Sequence, residues 1–184
     1  MDLEANLLER LRRVRLMAFD VDGVLTDGGL YIGRADEWKR FNTQDGAGLA
    51  ICRRLGIPIA FISGRESESV RRRAEEQRVT EVHLQVTNKV KMLEGFLERN
   101  GGAGPESLMY MGDDLMDIPA LNFAGLAIGP ANAVTDVRSI CHYITLSRGG
   151  YGAVREAIEL VLRNQDRWET AVEELLTETG RLSQ

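Results

Sequence analysis

The strongest constraint on this chain is an alternation. Short apolar runs of strand length each stop at a polar cluster, and between them apolar residues recur at helical spacing. Val14 to Phe19 stops at Asp20, Ile57 to Ile62 at Ser63, and Leu108 to Met111 at Gly112 and Asp113. Runs this short and this uniformly apolar read as strands buried on both faces. The pattern predicts strands at 14–19, 57–62, 81–84, 108–111, 125–128 and 142–145. Helices are predicted at 2–13, 45–55, 66–77, 88–99, 115–122, 132–138 and 150–163. Strands that alternate with helices imply right-handed crossovers and a doubly wound, Rossmann-like parallel sheet, an α/β fold.

One segment breaks the rhythm. Asp27-Gly28-Gly29 leads into Leu30-Tyr31-Ile32, a polar Gly33-to-Asp36 loop, and Glu37-Trp38-Lys39-Arg40-Phe41. Two aromatic-bearing runs around such a loop read as a β-hairpin at about 28–42. Tyr31 and Trp38 on it suit cross-strand packing or a contact between copies, and the contact is the expectation. Residues 1–165 form one domain, and 166–184 read as a helical tail.

Composition narrows the partners. A formal net charge of −5 and a pI near 5.2 argue against a nucleic-acid or anionic-membrane binder, which would want a basic face. Cys52 and Cys141 have no metal-type spacing, so a disulfide framework is excluded and a reducing compartment is expected. No apolar run reaches the length of a membrane span. The N-terminal MDLEANLLERLRRVRL lacks the uninterrupted apolar core of a signal peptide, so the expected location is the cytoplasm.

Ligands of an open parallel sheet bind beyond the carboxyl ends of its strands. The predicted strand ends deliver Asp20, Asp22 and Thr26, then Ser63, Gly64 and Arg65, then Asp113, Asp114 and Asp117, while Lys89 opens a helix between the last two sets. Crowded carboxylates repel by roughly 4 kcal/mol per close pair at an intermediate dielectric, so the cluster needs a cation or must protonate. Oxygen-only donors beside a phosphate site favour Mg²⁺ over a full Ca²⁺ cage. Ser63 and the Gly64 amide can hydrogen-bond phosphate oxygens, and Lys89 adds a point charge. Acids, a cation, a hydroxyl and an ammonium together make a phosphoryl-transfer site.

Asp20-Val21-Asp22-Gly23-Val24-Leu25-Thr26, Ser63-Gly64-Arg65, Lys89 and Gly112-Asp113-Asp114-Leu115-Met116-Asp117 resemble, in order and context, the four motifs of the haloacid dehalogenase-like hydrolases. The resemblance implies that Asp20 is the nucleophile and forms an aspartyl-phosphate. It implies that Asp22 is the general acid and then the base, and that Ser63 and Lys89 hold the phosphoryl group. Mg²⁺ would bind Asp20, the backbone carbonyl of Asp22, and Asp113. Asp114 and Asp117 would be ligands or supports, and Thr26 a support of the nucleophile loop or a local cap. Lys91, two positions from Lys89, is expected in solvent.

Only 43 residues separate Asp20 from Ser63, and 26 separate Ser63 from Lys89, which leaves no room for a cap domain. An open site exposes a small substrate to water unless a neighbouring subunit closes it. Thr26 to Gly29, Lys39 to Asn42 with Asp45-Gly46, Ser63 to Arg65 and Arg148 to Glu156 resemble the 3-deoxy-D-manno-octulosonate 8-phosphate phosphatases, which are capless tetramers. A sister group acting on nine-carbon keto-sugar acid 9-phosphates is resembled by Glu37 to Thr43, whereas Arg65 favours the octulosonate branch. The small sugar-acid phosphate would then meet Gly64 and Arg65, whose guanidinium suits a carboxylate, with Asn42, Asp45, Arg73 and Arg148 as further contacts. Blander readings stand beside these: Asn42 and Asp45 as the start of a helix, Arg71-Arg72-Arg73 in solvent, and Arg148 as a loop residue. His83 and His142 are expected to be structural. A non-catalytic scaffold and a phosphatase of macromolecules are the remaining alternatives.

Overall fold

The computed structural model describes residues 3–33, 37–79 and 81–178. In chain order the elements are α1 (Leu3–Arg13), β1 (Leu16–Phe19), β2 (Tyr31–Ile32), β3 (Glu37–Trp38), α2 (Thr43–Arg54), β4 (Ile59–Ile62), α3 (Glu68–Gln77) and β5 (Glu81–His83). There follow α4 (Lys89–Arg99), β6 (Leu108–Met111), α5 (Ile118–Phe123), β7 (Leu126–Gly129), α6 (Thr135–Ile140), β8 (Tyr143–Ile144), α7 (Ala153–Asn164) and α8 (Trp168–Glu178). Asp2 of the first predicted helix, the hairpin tip 34–36 and the tail beyond 178 lie outside the described residues.

Six strands pair in parallel in the order β5-β4-β1-β6-β7-β8. The chain steps outward from β1 on one side to β4 and β5, then on the other to β6, β7 and β8. The connections therefore diverge at β1, which opens a crevice at its carboxyl end. β2 and β3 form a separate antiparallel hairpin in which Tyr31 faces Trp38. An isolated bridge between Thr26 and Phe41 closes its base.

The pleat explains the uniformly apolar runs. Met17 and Phe19 lie level with Ile59 and Phe61 on β4 and with Met109 and Met111 on β6, and this face packs on Leu49, Val154, Ile158 and Trp168. Ala18, Ala60, Ile62 and Tyr110 face the other layer, with Leu93, Phe96 and Leu121. Both faces of each central strand are covered, so no position is left for polar alternation. α8 joins the first layer through buried Trp168 and Ala171. The Arg155 guanidinium stacks 4.6 Å from the Trp168 ring.

Element ends differ from the sequence-based expectation, in part where side chains cap them. The Asn42 side chain accepts from Gln44 N–H at 2.7 Å and starts α2 at Thr43. The stretch predicted as a helix from 115 divides into a 3₁₀ turn, Leu115–Asp117, capped by Asp114, and then α5. α3 begins at Glu68, which leaves Ser63 to Ser67 as a loop. Among the described residues no helix is long and apolar enough to cross a membrane.

Candidate active site

Three loops leave the carboxyl end of the sheet side by side because β1 lies between β4 and β6. Backbone hydrogen bonds pin the first residue of each: Asp20 N–H to Met111 O at 2.9 Å, Ser63 N–H to His83 O at 2.9 Å, and Gly112 N–H to Ile128 O at 3.2 Å. Together with the first turn of α4 they wall a cavity of about 260 Å³, lined by Asp20, Asp22, Ser63, Gly64, Arg65, Val86, Thr87, Lys89, Asp113, Asp114, Met116 and Asp117.

Lys89 is the hub. Its Nζ lies 2.5 Å from Asp20 Oδ1 and 2.6 Å from Asp117 Oδ1. Asp117 is saturated: Oδ1 also accepts from the buried Tyr110 hydroxyl at 2.6 Å, and Oδ2 accepts from the Asp113 and Asp114 amides at 3.0 and 3.2 Å. Four donors fill the four acceptor positions of a carboxylate, so Asp117 acts as a brace. Asp113 is the opposite case, because its Oδ1 is buried without a hydrogen-bond partner.

The charges strain against one another. Burial, then repulsion from Asp117, raises the Asp20 carboxyl well above its ordinary range, with Lys89 opposing. Burial, then Asp117 and Asp114, pushes Asp113 up to about 7. Burial acts to lower the Lys89 ammonium, but Asp20 and Asp117 outweigh it and the net shift is upward. Asp20, Asp113 and Asp117 each offer an oxygen within 4.8 Å of the others. With Asp117 already occupied, the open donors are Asp20 and Asp113, two hard oxygens suited to a small divalent cation.

The loop after β1 is shaped by Gly23. Its φ of +90° favours glycine, and a Cβ there would come within 2.0 Å of Asp113 Oδ2. Thr26 holds the same loop: its Oγ1 accepts from the Gly23 and Gly28 amides at 3.4 and 3.3 Å. Asp22 is met by Lys39 from the hairpin, whose Nζ sits 2.6 Å from Asp22 Oδ1.

A family model of haloacid dehalogenase-like hydrolases matches residues 75–158. The chain is 35% identical over 170 residues, 92% of its length and 90% of the relative's, to the 3-deoxy-D-manno-octulosonate 8-phosphate phosphatase of Escherichia coli. The Moraxella catarrhalis enzyme of that name, solved with a magnesium ion, a phosphate ion and a KDO molecule, is 35% identical with a TM-score of 0.88, covering 92% of this chain and 97% of that one. A probable phosphatase structure from Pseudomonas syringae is 39% identical, with a TM-score of 0.88 over 94% and 98% of the two chains. The chain belongs to the haloacid dehalogenase-like hydrolases. It is a capless member: between Asp20 and Lys89 the described residues hold the small hairpin, α2, β4, α3 and β5 and no further domain.

Within this haloacid dehalogenase-like fold, Asp20, Asp22, Ser63, Gly64, Arg65, Lys89, Asp113, Asp114 and Asp117 converge on the cavity. Ser63 is buried and accepts from the Arg65 amide at 3.1 Å. Asp114, on the surface, accepts from Leu115 N–H at 2.7 Å. Four further predicted contacts are absent from this chain's cavity lining. Asn42 caps α2. Asp45 is buried and accepts from the Arg155 amide at 2.8 Å, and burial pushes it up to about 6. Arg71 and Arg72 are exposed as expected, whereas Arg73 turns inward to Asn42 O at 3.2 Å while pairing with Glu76 at 2.7 Å. Arg148 is exposed, in the loop leading to α7. Lys91 is exposed, and His142 Nδ1 accepts from Ala127 N–H at 2.9 Å as a structural residue. Gln85 adopts φ 58° three residues before Asn88, a left-handed turn made without glycine.

Sequence reasoning assigned no role to Lys39 or Tyr110. Lys39 lay inside a quoted motif, and its two-residue spacing from Glu37 in an extended segment is the signal that places both on the same side of the hairpin.

Proposed function

We propose that the chain is a Mg²⁺-dependent phosphatase that hydrolyses 3-deoxy-D-manno-octulosonate 8-phosphate to the free sugar acid and phosphate. The observation that carries this reading is Lys89 held between Asp20 and Asp117 at the mouth of the sheet, beside the unpartnered Asp113 oxygen. The relatives' names and the contents of the Moraxella catarrhalis structure supply the substrate class.

The ion fits Asp20, Asp113 and, by resemblance, the carbonyl of Asp22. When bound, it supplies positive charge that offsets repulsion between the phosphate and the carboxylates. Lys89 offsets part of the burial that disfavours the charged form of Asp20, and the Asp20 oxygen that Lys89 leaves open is the attacking atom. As the Asp20 O–P bond forms and the ester P–O bond breaks, Asp22 gives a proton to the leaving alkoxide oxygen. Asp22 then takes a proton from the water that attacks phosphorus, which frees Asp20 and releases phosphate. Ser63 Oγ and the Gly64 amide bind the phosphoryl oxygens, Lys89 balances their charge, and Arg65 faces the sugar-acid carboxylate.

The hairpin leaves Tyr31, Ile32 and Trp38 exposed at 58%, 74% and 68%, and we assign this face to contacts within a homotetramer, which sedimentation equilibrium would measure as four times the chain mass. Wild type should release phosphate from octulosonate 8-phosphate with Mg²⁺, lose activity in EDTA, and lose it with Asp20→Asn. Turnover confined to nine-carbon keto-sugar acid 9-phosphates would move the assignment to the sister group, and turnover of neither would defeat it.

A further inference from the structure

The hairpin carries a chain of charges that the motif residues do not account for. Arg65 Nη2 donates to Glu37 Oε2 at 2.8 Å, Lys39 Nζ lies 3.5 Å from Glu37 Oε1, and Lys39 Nζ donates to Asp22 Oδ1 at 2.6 Å. The Lys39 side chain is fully buried, whereas that of Arg65 is 49% exposed. Glu37 Oε1 is buried and lacks a hydrogen-bond partner. Ser69 Oγ donates to Glu37 O at 2.8 Å and ties the backbone here to α3, so rearrangement falls to the side chains.

This resting arrangement opposes the task of Asp22. A carboxylate held by an ammonium is turned away from proton exchange with a leaving oxygen, so Lys39 must leave Asp22 during turnover. Glu37 is the one other carboxylate within ion-pair distance of Lys39 among the described residues. Its free oxygen needs only about 1 Å of movement by the ammonium to become a hydrogen-bond acceptor. Glu37 is held back by Arg65, and a half-exposed ion pair is the weakest link of the three.

We propose that Glu37 and Lys39 couple recognition of the substrate carboxylate at Arg65 to the release of Asp22 for proton transfer. The proposal rests on the reading above, with Asp22 as the acid and a sugar acid as substrate. A substrate carboxylate pairs with Arg65 and displaces Glu37. Glu37, whose Oε1 is buried, is then left with Lys39 as its neighbouring cation and draws it to that open oxygen. Asp22, freed of the ammonium, takes up a proton from solvent and faces the leaving oxygen. Glu37 and Lys39 are positioning residues that touch no reacting atom, and the device makes kcat, and not affinity alone, depend on the carboxylate.

The test compares octulosonate 8-phosphate with its methyl ester, which loses the carboxylate charge and gains one methyl group, in wild type, Glu37→Gln and Lys39→Met, each checked for folding by circular dichroism. In wild type, kcat for the acid should exceed that for the ester by about tenfold or more, the equivalent of one lost charge-assisted contact. The ratio should fall toward one in both variants from opposite directions. Glu37→Gln lowers kcat for the acid because Lys39 has nowhere to go, while Lys39→Met raises kcat for the ester because Asp22 is already free. Glu37→Asp, which restores the charge, should recover part of the ratio. A wild-type ratio near one, an unchanged ratio in the variants, or an equal loss with both substrates as a purely structural role predicts, overturns the coupling. A wild type inactive on the acid overturns the functional reading and the coupling with it, whereas activity with unchanged ratios overturns the coupling alone.

Discussion

Replacing Lys89 with methionine keeps an unbranched side chain out to the ε carbon and removes the ammonium that separates Asp20 from Asp117. Oxygens of these carboxylates lie within 4.8 Å, and at that distance two unit charges repel by about 3.5 kcal/mol at an effective dielectric of about 20. Breaking a buried pair by deleting one partner costs a similar amount, about 3–5 kcal/mol. Lys89→Met should therefore lose about 3 kcal/mol at pH 8 in EDTA, and a domain of this size loses about 2–4 °C of Tm per kcal/mol, so the melting point should drop by about 6–12 °C. The loss depends on ionised carboxylates. Asp113 is raised from 3.8 to about 7, and Asp20 is raised as well. Groups raised in the folded state favour folding below their unfolded value and lose that contribution as pH rises through the folded one. The gap between variant and wild type should then be widest at pH 8 and narrow steadily on acidification. Differential scanning calorimetry at pH 5, 6, 7 and 8 measures it, and kcat with Mg²⁺ should fall by about 10²–10³-fold, as for other deleted charge-stabilising donors. A Tm within about 1 °C of wild type at pH 8, or a gap that stays constant on acidification, would refute the reasoning.

Asp45→Asn tests a second buried carboxylate, raised from 3.8 to about 6 chiefly by burial. Keeping it ionised costs about 3 kcal/mol at 1.36 kcal/mol per unit, a cost absent below pH 4 and complete above pH 6, so the Tm of the variant relative to wild type should improve by several degrees between pH 4.5 and 8; a flat difference contradicts the burial argument. Gly149→Ala would place a Cβ 1.8 Å from Gly23 O and 2.4 Å from its carbonyl carbon, so the two loops must part. Urea unfolding should show a loss of about 1–3 kcal/mol, as for other overpacked sites, with reduced kcat because the Asp22-Gly23 loop shifts; a fully stable and active variant would show that this contact yields freely.

Much of the site was legible because catalytic residues of this fold sit where strands stop. Asp20, Ser63 and Asp113 each follow an apolar run, and the order of the sheet alone brings those ends together. Lys89 was legible through its place at the start of α4. Asn42 and Asp45 at the start of α2 and Arg73 midway along α3 were ambiguous for a physical reason: a polar residue on a helix can cap, brace or bind, and those choices differ only in which way the side chain turns. In this chain Asn42 caps α2, Asp45 accepts from the Arg155 amide, and Arg73 reaches Asn42 O.

The linear order of residues by itself determined the alternation of strands and helices, the hairpin, and the edge at which the acids gather, because burial on both faces demands unbroken apolar runs and polar residues are confined to their ends. Tertiary structure alone decided which acid is occupied and which is open. Asp117 is filled by Lys89, Tyr110 and two amides, whereas Asp113 keeps a buried oxygen free. It also decided that Lys39 reaches back 17 positions to Asp22. Such pairings depend on how loops fold over the sheet edge, and hydrogen-bond saturation is a property of distances between groups far apart along the chain.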